Sequence, residues 1–112
     1  MGIKVLELKL DLTKLNLAEE DKKNPPAAIV GDVLKTVIVG YSQQQKGLSQ
    51  PERKQYYIIT DVLDKAIANN LLEIELNDTE MGFIKKCFRE TKLTPNNLLR
   101  QVEDLLENVF QR

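Results

Sequence analysis

The sequence predicts an α+β fold, mostly helical, with a short two-stranded sheet packed against four helices in the order β-α-α-β-α-α. Three observations predict it. Two short segments alternate apolar with charged residues at period two, the signature of a half-buried strand. Four longer segments place their apolar residues at helical spacing. Each helical segment opens on residues suited to a helix start.

The first alternation sets Leu6, Leu8, Leu10 and Leu12 against Glu7, Lys9 and Asp11, and predicts a strand with one wet face. Residues 13–24 then turn polar, with the run Glu19-Glu20-Asp21-Lys22-Lys23, and are expected to form an exposed, mobile loop. Pro25-Pro26 suits the first turn of a helix. Val30, Val33, Leu34, Val37, Ile38 and Tyr41 continue it, Gln43-Gln44-Gln45 form a polar last turn and Gly47 ends it. Gly31 and Gly40 each weaken a helix by about 1 kcal/mol relative to Ala, and β-branched residues are frequent, so a strand over 35–39 is the alternative there. The apolar period holds for more than three turns, which favours helix.

Ser49-Gln50-Pro51-Glu52 has the form of a capping box: the Ser side chain and the Glu three residues on satisfy amides that a helix start leaves open. Tyr56, Ile59, Val62, Leu63, Ala66 and Ile67 give that helix its apolar face, and Asn69-Asn70 stops it. Leu72, Ile74 and Leu76 alternate with Glu73 and Glu75 as a second strand, whose expected partner is the first. In that pairing Lys9 would meet a glutamate across the ladder. Asn77-Asp78-Thr79-Glu80 caps a third helix with Met81, Ile84, Cys87 and Phe88 inward. Thr94-Pro95 is expected to cap a fourth, with Leu98, Leu99, Val102, Leu105, Leu106 and Val109 as its stripe. Both edges and one face of a two-stranded sheet would stay open.

The 112 residues suit a single domain, 1–112, with 42% hydrophobic and 29% charged residues, which is globular composition. A net charge of −1 provides no long-range positive field for nucleic acid or anionic lipid. With no histidine in the chain, the commonest general base and metal ligand are missing. The single cysteine, Cys87, permits no internal disulfide and fits a reducing, cytoplasmic setting. On an apolar helix face without a histidine base, it reads as core rather than nucleophile. The pairs Glu73 with Glu75, and Glu103 and Asp104 with Glu107, read as solvated surface. The five glycines make no phosphate loop, and no stretch has the length and apolarity of a membrane span or a targeting core. No catalytic, cofactor-binding or metal-binding residue is therefore assigned.

Two groups stand out as candidate contacts. Lys85, Lys86, Arg89 and Lys92 are the local basic set, with 85, 89 and 92 read on one helical face able to touch phosphates. The last two helices outline a helix-turn-helix, although Glu103, Asp104 and Glu107 in the second would repel DNA. Lys46, Arg53 and Lys54 form a second basic group. Tyr56 and Tyr57, adjacent on a helix, place one ring inward and one outward; with Leu6, Leu8 and Leu10 they form the candidate interface.

In this pattern the chain resembles small bacteriophage-encoded accessory proteins of unassigned role. The features that carry the likeness are the opening alternation over 6–12, Leu72-Glu73-Ile74-Glu75-Leu76, Asn77-Asp78 and the closing helix over 98–109. The resemblance implies a viral protein acting in the cytoplasm of a bacterial host. The reading is a non-enzymatic protein-interaction or self-assembling protein, serving assembly, host-factor inhibition or counter-defence. Its partner would be a second copy or another protein, with no membrane involved. One alternative is a nucleic-acid accessory protein using the basic helix face. The other is an oligomer that sequesters a small anionic ligand.

Overall fold

The computed structural model describes residues 2–111; Met1 and Arg112, the ends of the domain read from the sequence, lie outside the described residues. The α+β, helix-rich architecture is the one the periodicities predict. Strand β1 is Ile3–Glu7 and β2 is Glu73–Asn77, and they pair antiparallel with Leu6 opposite Ile74 and Val5 opposite Glu75. A two-residue strand, β3 (Phe110–Gln111), pairs with the other side of β1, giving the order β2-β1-β3. The edge of β1 expected to stay open is thus covered in part. Two residues are too few to show a period-two signal in sequence, so β3 is invisible there.

β1 also begins and ends earlier than the leucine alternation suggests. The ladder reaches Leu8, whose N–H donates to the Leu72 carbonyl at 2.9 Å, and then stops. Asp11 ends it. Its carboxylate accepts the Thr13 N–H at 3.1 Å and starts a 3-10 turn over Leu12–Lys14. Both backbone groups of Asp11 bond to the Gln101 side-chain amide, at 2.8 and 3.1 Å, instead of to a strand. Within 13–24, read as loop, the chain makes this 3-10 turn and one helical turn, α1 (Glu19–Lys22), and buries Leu15.

Helix α2 runs Pro26–Gln44, so 35–39 is helical. Two residues past its end the chain needs a left-handed step: Lys46 has φ 60° and Gly47 φ 122°. The Gly47 N–H donates to the Ser42 carbonyl at 2.8 Å and the Lys46 N–H to Gln43 at 3.3 Å, which closes the free carbonyls of the last turn. Helix α3 (Gln50–Ala68) starts on the expected capping box at Ser49 and Glu52. It ends by the same device as α2, with Asn70 at φ 51°. Helix α4 (Asp78–Glu90) follows β2 without a linker, capped reciprocally by Asn77 and Glu80. Helix α5 (Asn97–Glu107) starts later than expected. Asn96, not Thr94-Pro95, is its cap, its side chain accepting the Leu99 N–H at 2.7 Å.

The helices cover one face of the sheet. Leu6, Leu8, Ile74 and Leu76 from the strands pack with Leu34, Ile38, Ile59, Leu63, Ile84, Val102 and Leu106 in one cluster. Val5 is also buried but faces the other way, between its ladder partners Phe110 and Glu75. That second face keeps Ile3 and Phe110 exposed.

Candidate functional site

The structure disperses the basic set into three environments. Lys86 belongs to a polar cluster that ties α2, α3 and α4 together. Its ammonium lies 3.8 Å from Glu52 Oε2 and 5.7 Å from the centre of the Tyr41 ring. The Tyr41 hydroxyl donates to the same carboxylate at 3.3 Å, and the Ser49 N–H and hydroxyl donate to its other oxygen at 3.0 and 2.9 Å. The Ser49 backbone N–H first, then the Ser49 and Tyr41 hydroxyls and Lys86, hold the Glu52 carboxyl below its usual range. The Tyr41 hydroxyl, then Glu52 and Glu90, raise Lys86 above its own. These interactions join the core to a helix cap, and they occupy the cation that was to meet phosphate.

Lys85 and Arg89 line a shallow groove of about 240 Å³ whose other wall is Glu103 and Glu107 of α5. Both signs of charge therefore line this groove. Lys92 lies beyond the end of α4, so it does not continue the helical face of Lys85 and Arg89 as expected. It borders a separate hollow with Lys35, Val39 and Gln43 of α2. Of the second basic group, Arg53 donates to the Leu48 carbonyl at 2.6 Å and so closes the α2–α3 link.

The candidate interface also divides. Leu6 and Leu8 are 0% and 2% exposed and Leu10 is half-buried, so the leucines of the opening segment are used in the molecule's own core and present no contact surface. The alternation identified a buried face correctly, but the helices already cover it. Tyr56 is half-buried and Tyr57 is 58% exposed, their rings edge to face at 6.2 Å. Tyr57 and its neighbour Ile58 thus form an exposed apolar step on α3.

Cys87 is fully buried, and burial first, then Glu52 and Glu90, push its thiol up to about 12. A thiol in that state supplies no thiolate at neutral pH. Among the described residues no three Cys, Asp or Glu side chains gather as metal ligands, and no helix is long and apolar enough to cross a membrane.

A polar groove of about 630 Å³ runs between the turn after β1 and α5. Its charges alternate in sign: Lys9 pairs with Glu7, Lys14 lies 4.0 Å from Asp11, and Arg100 and Asp104 stand one helical turn apart. The Thr13 hydroxyl chiefly lowers the Asp11 carboxyl, and the hydrogen bond to Glu7 chiefly raises Lys9.

One surface was not anticipated. Leu17, Ile29, Val33, Val37, Leu93, Leu98 and Leu99 converge on a groove of about 400 Å³ between the 13–24 segment, the first half of α2 and the first turn of α5. Asp21 and Asp32 are the ionisable residues of its lining. Both are exposed, and among the described residues neither has a basic side chain at ion-pair distance. The sequence held one signal for this groove. Ile29, Val33 and Val37 form a row at i, i+4 and i+8 beside the core row Val30, Leu34 and Ile38, so α2 carries more apolar surface than one contact covers.

Comparison with protein-family models, with curated proteins and with solved structures finds no match to this chain.

Proposed function

We propose that this protein is a non-enzymatic interaction module that docks a segment of another protein in the groove between α2 and the start of α5. The supporting observation is the convergence of seven aliphatic side chains, from three separate stretches of chain, on one concave face that the fold leaves open. Grooves of this size, apolar inside with a few polar groups at the rim, are the usual form of a recognition site. The basic helix face supports a nucleic-acid role less well, because Glu52, Glu103 and Glu107 offset its cations. A bacteriophage accessory role in assembly, host-factor inhibition or counter-defence would use a docking contact of this kind.

A photo-crosslinking side chain installed at Thr36, on the groove's lining, tests the reading in source cells, with the same side chain at Tyr57 as control. The expected result is a discrete protein adduct from position 36 that disappears in Val33→Arg. Adducts from position 57 alone, or adducts indifferent to Val33→Arg, would overturn it.

A further inference from the structure

We infer that the segment taken by this groove carries a Lys or Arg next to its apolar anchor, read by Asp21 and Asp32; this rests on the groove being the docking site. The contrast among the surface hollows carries the inference. The polar groove beside β1 and the groove between α4 and α5 each hold both signs of charge. The apolar groove holds carboxylates alone, on two different elements: Asp21 on the single turn α1 and Asp32 on α2. Its floor, Ile29 and Val37, is nearly closed to water at 7% and 2% exposure, while both carboxylates stay solvated. An apolar side chain entering between them would bring its flanking residues up to the acidic rim. A cation there gains one or two partners, and an anion meets repulsion. Exposed pairs contribute about two- to fivefold each in affinity, so the rim selects among apolar segments more than it holds them.

The test uses the full chain with labelled methyl groups and three short synthetic peptides. All share a leucine pair and differ only in flanking residues: lysine, glutamine or glutamate. The expected result is that the methyls of Val33, Val37, Leu98 and Leu99 shift with the lysine peptide, which binds about tenfold tighter than the glutamine one. The glutamate peptide binds more weakly still. The lysine advantage should vanish in about 1 M salt, where screening acts within a few ångströms. It should also vanish in Asp21→Asn/Asp32→Asn, whose changes are exposed and leave the floor intact. Groove methyls that shift equally with the lysine and glutamine peptides would overturn the charge inference and leave the docking reading standing. No shift of these methyls with any of the three would overturn the docking reading itself.

Discussion

Helix α5 separates two grooves that the same helix builds in opposite ways. On one side Glu103 and Glu107 face Lys85 and Arg89 of α4 above the buried Leu106. On the other, Leu98 and Leu99 face the Ile29, Val33 and Val37 row of α2, with carboxylates at the rim and no cation. The first groove is an internal seam, lined by both signs of charge and with the apolar residue beneath fully used. The second leaves apolar side chains half-buried and acids unmatched, which are the two properties a partner can use. The proposed function therefore rests on unmet surface and not on the density of charge, which drew attention to the seam.

The largest expected effect tests whether α5 is anchored from the seam side. Leu106→Ala, which empties a site only 3% exposed, should cost about 3 kcal/mol and lower the melting temperature by about 10 °C or more. Leu99→Ala, half-buried on the open side, should cost about 1 kcal/mol. Equal losses in urea titration would show that the two sides hold α5 alike.

Val33→Arg attacks the open groove at a half-buried side chain that packs against the edge of the main cluster. Folding stability should fall by about 1 kcal/mol, while affinity for the lysine-flanked peptide should fall more than about tenfold. Calorimetry on the variant reads both, and a variant that binds normally would remove the α2 row from the site.

Glu52→Gln removes the acid that balances Lys86 and should cost about 0.5 to 1 kcal/mol near neutral pH. The folded protein holds this carboxyl below its usual range, so its contribution is complete above the unfolded value, about 4.3, and is lost as pH falls through the lower folded value. The gap between variant and parent in denaturant midpoints should therefore close below about pH 4. A gap that persists into strong acid would mean that packing, rather than charge, explains it.

The smallest effect belongs to the seam's surface charges. Lys85→Glu with Arg89→Glu should destabilise by about 0.5 kcal/mol at low salt, and less as salt rises. Adding Glu103→Lys and Glu107→Lys should recover most of the loss. No recovery in the thermal midpoints would mean that the two rows do not sense each other.

Most elements were legible because each announces itself locally. Ser49 with Glu52 and Asn77 with Glu80 mark helix starts through side chains that must satisfy nearby amides. Leu72-Glu73-Ile74-Glu75-Leu76 marks a strand through the alternation of faces. The boundaries that shifted depended on distant partners. Gln101, 90 residues away, bonds Asp11 where the alternation predicts strand to continue. Asn96 displaced Thr94-Pro95 as the α5 cap because its side chain, and not theirs, reaches the Leu99 N–H.

The sequence by itself determined the helix-rich α+β order, the pairing of the two main strands and the inward place of Cys87. Those follow from period and caps, both properties of neighbours along the chain. Only the tertiary structure decided that β3 joins the sheet and that the leucines of the opening segment are already covered. It alone placed Lys86 on Glu52, set Lys85 and Arg89 across from Glu103 and Glu107, and left Asp21 and Asp32 over an apolar groove. Which charges meet and which apolar rows remain uncovered is set by how helices lie against each other, and that geometry has no short-range trace in the order of residues.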